Sequence, residues 1–202
     1  MTALPLPPES LDRLLSIEEY AALGEIEHGR YELQEGRLLM SPSPRPDHMI
    51  ATVELAFQLK AQLPAGLRLV PDVDLDLELA APGKPGWSRR PDLVIVTGRE
   101  VERVRQEGGL LRASQTLVVV AVVSPGSERT DHVIKREDYA DAGIPRYWII
   151  DLDAPVTLLD CQLAGEFGYQ DPGSRAGKFE TTVVLDDESN FPVRIDLDEL
   201  LA

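Results

Sequence analysis

Two short stretches carry residue types that could perform hydrolysis together. One is Arg89-Arg90-Pro91-Asp92, which places an acid at the mouth of an apolar run. The other is Asp131, Lys135 and Tyr139, three polar groups four residues apart, a spacing that stacks them on one helical face. Cleaving a phosphodiester needs in-line attack by water, neutralisation of phosphate charge and a proton for the leaving group. Magnesium held by one or two carboxylates supplies the first two, and a lysine beside the nucleophile adds charge and orients the water. The simplest scaffold is a pair of adjacent strands. One opens with an Asp, and its neighbour carries an acid and a lysine two residues apart, because period two puts both on one face. The candidate neighbour here, Leu117–Val123, contains neither.

Each candidate also has a plain structural reading. Asp92 is equally a strand start after proline. Asp131 fits a helix N-terminus, where the dipole favours negative charge. Asp131 with Lys135 makes an ordinary i,i+4 pair worth a few tenths of a kcal/mol, about 0.2–0.5. His48 suits a local hydrogen bond, Tyr139 and Tyr147 suit packing, and Cys161 lies outside every motif.

The elements that must position these groups follow from pattern. Ser16-Ile-Glu-Glu19 reads as a capping box opening a short helix through Leu23. Arg30–Met40 alternates as strands turning at Glu35-Gly36. Asp47 is the expected N-cap of a helix through Leu63, its apolar face formed by Met49, Val53 and Phe57 beside Ile50 and Ala56. Val73–Leu79 alternates without a break, predicting a strand whose carboxylates at 74, 76 and 78 share a wet face, read as solvated rather than metal-binding. Asp92–Val96, Leu117–Val123 and Tyr147–Asp151 have the β-branched, apolar character of strands buried on both sides. Arg99–Gly109 is a short helix or a loop. Asp131–Ala142 is a helix closed by Gly143. Val156–Leu159, Gly165–Tyr169 and Thr181–Leu185 suggest an antiparallel hairpin extension, and Asp198–Leu201 a terminal helical turn. The order predicts one α/β (α+β) domain over 1–202, a mixed central sheet flanked by helices, with residues 1–8 loose.

With 202 residues, 43% of them hydrophobic, the chain can bury a core and is too apolar for global disorder. The formal charge of −15 runs against general affinity for nucleic acid. It is unevenly spread: residues 151–202 hold twelve acids against three bases, while Lys84–Arg112 holds seven bases against four acids, leaving room for a local cationic groove. One cysteine excludes an intrachain disulfide and suits a reducing compartment. Neither a basic leader followed by an apolar run nor an eighteen-residue apolar stretch is present, so a cytoplasmic protein without a membrane span is expected.

Taken together, Tyr31–Pro42 (YELQEGRLLMSP), His48 at the head of the long helix, RRPDLVIV at 89–96, the run from Val118 to Asp151 and the closing DLDELL resemble the Uma-type family of restriction-endonuclease-like proteins, in order and spacing, over nearly the whole chain. That family is placed in the PD-(D/E)xK nuclease superfamily. The resemblance implies a restriction-endonuclease-like fold with a magnesium-dependent DNA endonuclease site, manganese serving in its place. Asp92 would be the principal metal ligand and Glu32, in the family's Tyr-Glu-Leu, an additional acid. Lys135 would act on the attacking water, with Arg89, Arg90 and Arg129 facing phosphate. A homodimer is also implied, since two sites are needed to cut two strands. The chain departs from the pattern at one position. Where the family has Glu-Val-x-Ser-Pro, this sequence has Ala121-Val122-Val123-Ser124-Pro125. The second metal-binding carboxylate is absent, which implies impaired catalysis. The alternatives are an inactive nuclease-fold module for binding nucleic acid or protein, or a protein whose acidic C-terminal quarter mimics nucleic acid.

Overall fold

The computed structural model describes residues 13–24, 30–41, 43–185 and 190–202; the segment 1–8 expected to be loose lies outside them. Ser16 caps α1 (Ile17–Ala22) through the reciprocal bonds its spacing predicts: Glu19 N–H donates to Ser16 Oγ at 3.3 Å, and Ser16 N–H donates to Glu19 Oε2 at 2.9 Å. β1 (Arg30–Gln34) and β2 (Arg37–Ser41) pair across Glu35-Gly36, both at positive φ as a two-residue hairpin turn requires. α2 (Pro46–Lys60) starts with proline at its first position, where no amide bond is lost. Arg45 precedes it, so Asp47 lies inside the first turn rather than capping it.

Next come β3 (Leu67–Pro71), β4 (Leu75–Asp76), β5 (Ser88–Arg89), β6 (Leu93–Thr97), α3 (Gly98–Glu107), β7 (Leu111–Arg112) and β8 (Thr116–Val122). A π-helical turn over Thr130–Ile134 runs into α4 (Lys135–Asp141), so the single helix expected from 131 is wound in two ways. The chain closes with β9 (Arg146–Asp151), β10 (Thr157–Leu163), β11 (Tyr169–Gln170), β12 (Arg175–Ala176), β13 (Lys178–Val184), β14 (Asn190–Asp196) and a 3-10 turn at Asp198–Leu201.

The central sheet has the order β11-β10-β9-β8-β6-β3, with β12 also on β10. β8 and β9 run parallel and the other neighbours antiparallel. Every residue of β8 is buried, and period two divides them. Val118, Val120 and Val122 pack with Trp148 and Ile150 against Ala51, Leu55 and Leu59 of α2 and Phe179, Phe191 and Ile195 of the C-terminal hairpin. Val119, Ala121 and Val123 pack on the other face with Tyr139, Ile144, Tyr147 and Ile149. A second, smaller sheet, β2-β1-β5-β4-β7, borders the first. The hairpin β13–β14 is the antiparallel extension foreseen for the C-terminus, but β10 and β11, assigned to it from sequence, extend the central sheet instead.

Two other expectations change. The face of α2 formed by Met49, Ile50, Val53 and Phe57 points outward, Phe57 being 67% exposed, and the buried stripe is Ala51, Leu55 and Leu59 with His48 and Thr52. The helix is apolar on most of its circumference, so periodicity did not single out a side. Gln58 and Gln62 orient it by pairing with the backbone of β14: Asp196 N–H donates to Gln58 Oε1 and Arg194 N–H to Gln62 Oε1, both at 2.8 Å. Nor is Val73–Leu79 an unbroken strand. Asp72 and Glu78 take positive φ and only Leu75–Asp76 pairs. Each acid there serves a local donor: Asp74 accepts from Tyr20 Oη at 3.1 Å, Asp76 from Glu78 N–H at 2.9 Å and Glu78 from Ser114 N–H at 2.8 Å. Among the described residues, no helix is long and apolar enough to cross a membrane.

Candidate active site

The open ends of β6 and β8, the β1–β2 hairpin, the first turn of α2 and the π-helical turn enclose a cleft of about 460 Å³. Asp92, Glu32 and Lys135, assigned from sequence to one site, all line it. The β6–β8 register pairs Leu93 with Val120, and one step outward Asp92 stands across from Ala121. The two-strand scaffold is therefore present, with a methyl group where the second carboxylate would stand.

Asp92 is held at both oxygens. Val122 N–H donates to Oδ2 at 2.7 Å, and His48 Nε2 lies 2.8 Å from Oδ1. The other ring nitrogen of His48 is 3.0 Å from Ser124 Oγ. Glu32, 5% exposed, is surrounded by donors: Arg89 Nη1 at 3.0 Å from Oε2, and Arg90 N–H at 3.1 Å and Lys135 Nζ at 3.4 Å from Oε1. Burial pushes its carboxyl up, but Lys135 and Arg89 outweigh that and hold it below the usual value. Lys135 also lies 3.3 Å from Asp131 Oδ1. Burial works to lower its ammonium pKa, and Glu32, Asp131 and Asp92 reverse this and raise it. Asp131 in turn accepts from Ser127 Oγ at 2.6 Å.

The arginines divide three ways. Arg89, expected to face phosphate, is turned inward and 1% exposed; Nε donates to Asp138 Oδ2 at 2.8 Å, and Nη2 to Gln34 Oε1 at 3.1 Å. Arg90 borders the cleft but pairs with Asp72 at 2.9 Å and Asp74 at 3.4 Å. Arg129 is exposed and outside the cleft. The local excess of bases over Lys84–Arg112, which left room for a cationic groove, does not make this cleft cationic. The lining balances Arg30, Arg89, Arg90 and Lys135 against Glu32, Asp72, Asp92 and Asp131.

Glu32 is thus not free to serve as the metal ligand expected of it; its oxygens compensate three cationic or amide donors. Both oxygens of Asp92 are engaged as well, one by Val122 N–H and the other by His48. Among the described residues, no group of three or more His, Cys, Asp or Glu could hold a metal ion. Magnesium requires near-octahedral oxygen ligation, and this donor set does not fit it. A related gap lies under the cleft. Among the described residues the buried Tyr139 hydroxyl has no hydrogen-bond partner; it lies in the same apolar cluster as Ala121, and a glutamate at 121 would bring an acceptor to that cluster.

Sequence reasoning named His48, Ser124 and Asp131 but not their connections, and it missed Ser127, Gln34 and Asp138. Asp138 reads in sequence as an exposed helix charge, and nothing local marks it as the counter-ion of a residue forty-nine positions away.

A mixed sheet with flanking helices and this C-terminal hairpin is a fold of the nuclease type. The chain belongs to the Uma2 family, described as putative restriction endonuclease, whose model matches residues 17–184. Among solved structures, the crystal structure of a putative nuclease belonging to DUF820 from Anabaena variabilis ATCC 29413 shares the fold. Its TM-score is 0.62 at 15% sequence identity, covering 93% of this chain and 97% of that one. No protein with a curated description matches.

Proposed function

We propose that the chain is a nuclease-type phosphodiester hydrolase acting on DNA at this cleft, impaired in metal-assisted chemistry by Ala121. The observation that carries the reading is the convergence of Asp92 and Lys135 on one cleft at the open ends of β6 and β8, in a member of a restriction-endonuclease family. Lys135 supplies the positive charge for phosphate, its ammonium form favoured by Glu32 and Asp131. Restriction-endonuclease-like enzymes generally use divalent metals, and the missing carboxylate removes the ligand through which such an ion would be held.

A purified-protein assay on supercoiled plasmid tests this. Slow nicking is expected, lost in Asp92→Ala and Lys135→Ala. Ala121→Glu should raise nicking with magnesium or manganese by more than roughly tenfold, since even groups that only support a metal's ligands are worth about 10–100-fold. Equal nicking by wild type and Asp92→Ala would identify a contaminant and end the reading. The balanced charge of the cleft favours a second reading, a nuclease-fold module that binds without cutting. DNA binding without nicking in any of these proteins would establish it instead.

A further inference from the structure

The contacts of His48 join three residues from separate elements into one line: Asp92 ahead of β6, His48 in the first turn of α2, and Ser124 just past the end of β8. A carboxylate oxygen only accepts, so the proton at the 2.8 Å contact with Asp92 is on Nε2. In the neutral ring Nδ1 is then the acceptor, and the Ser124 hydroxyl 3.0 Å away donates to it. A hydroxyl bonded to a base that is itself oriented by a third group is the arrangement of an activated nucleophile.

Its parts are held in place. Val122 N–H fixes the second oxygen of Asp92, and His48 is 8% exposed. Ser124 N–H donates to Ser127 Oγ at 3.0 Å, and Ser127 N–H donates to the Ser124 carbonyl at 2.9 Å. Ser127 Oγ is also bonded to Asp131, which pairs with Lys135, so the same network that pins Ser124 carries the cleft's ammonium group. Ser124, His48 and Lys135 all line the cleft.

We propose that Ser124 is a nucleophile, activated by His48 and positioned through Asp92, that takes the phosphoryl group of the substrate without a metal ion. The identity of that substrate rests on the phosphodiester reading above. Ser124 Oγ attacks phosphorus and its proton passes to His48 Nδ1. The Oγ–P bond forms, the P–O bond to one sugar breaks, and His48 returns the proton to the departing alkoxide. Water then attacks the phosphoserine diester, giving its proton to His48. The P–Oγ bond breaks, Ser124 Oγ regains the proton, and a strand ending in a phosphate monoester leaves. Lys135 faces the charge that develops on the non-bridging oxygens. Asp92 does not touch substrate; it holds the imidazole in the reactive tautomer.

Diisopropyl fluorophosphate, which phosphorylates activated serines, tests the nucleophile independently of DNA, with peptide mass spectrometry to locate the adduct. Stoichiometric labelling of Ser124 is expected in wild type and none in Ser124→Ala. His48→Ala should label roughly 10²–10⁴-fold more slowly, the usual contribution of a positioned base, with part of the rate restored by added imidazole. Asp92→Asn should slow the covalent step at least about tenfold while leaving the probe's reversible affinity unchanged. Ser124→Cys, which keeps the shape of the site, should exchange this reactivity for labelling by iodoacetamide. In parallel, wild-type nicking should survive EDTA and disappear in Ser124→Ala. No adduct, an adduct on another residue, or labelling indifferent to His48 would overturn the proposal. Nicking that persists in Ser124→Ala would do the same while leaving the nuclease reading intact. Labelling of Ser124 with no nicking would keep the nucleophile and remove DNA as its substrate.

Discussion

At Glu32, two positive side chains and a backbone amide meet one carboxylate. The acid was legible in sequence through the family's Tyr-Glu-Leu, but its partners were not, because Arg89 and Lys135 come from a different strand and a distant helix. Truncating it would leave the Arg89 guanidinium in a fully buried position with only Asp138 and Gln34. Glu32→Ala is therefore expected to destabilise the protein by about 3–5 kcal/mol, as breaking a buried ion pair does. Urea denaturation of the variant measures this, and a loss under about 1 kcal/mol would show that Asp138 alone balances Arg89. Ala121 was equally legible as a missing acid. That Tyr139 would be left with an unpartnered hydroxyl in the same cluster was not, since that depends on which residues α4 lays against β8.

α2 shows where helical periodicity reaches its limit. Two apolar stripes run along it, and the one toward the sheet was selected by its partners rather than by its own pattern. Phe57→Ala is expected to change stability by no more than about 0.5 kcal/mol, as for a surface substitution, whereas Leu55→Ala, fully buried, should cost about 2–5 kcal/mol. The two thermal melts give that contrast directly. α3, left between helix and loop by its polarity, is secured by one acid. Glu100 is 1% exposed, and Arg103 and Arg112 bond it at 2.7 Å each. Burial pushes its carboxyl up, but those two guanidinium groups prevail and hold the pKa at about 2. Because the folded value lies below the ordinary 4.5, this stabilisation is fully present above about pH 4.5 and is lost as pH falls toward 2. It is worth at most about 3 kcal/mol. Urea midpoints measured across that window should fall for wild type and stay flatter for Glu100→Gln; parallel curves would remove Glu100 as the cause.

For the whole molecule, the excess of acid and the pairing of every cation lining the cleft bear on how DNA would bind. Arg30, Arg89, Arg90 and Lys135 each have a carboxylate within 3.5 Å. Few counterions would be released on binding, so log affinity against log salt is expected to fall with a slope shallower than about −2, against about −0.9 for each phosphate neutralised. A titration giving a slope near −6 would place binding on another face or show that these pairs open. The succession of most elements along the chain and the chemistry-bearing residue types were readable from the sequence, because they depend on local pattern and residue identity, and the missing second acid was readable from the family resemblance. Which of two apolar helix faces would be buried, that Arg89 would point inward, and that Asp92, His48 and Ser124 would line up were decided only by tertiary structure. Those outcomes depend on desolvation and on partners thirty to seventy-six residues apart, and no local pattern encodes which distant group will satisfy a buried charge.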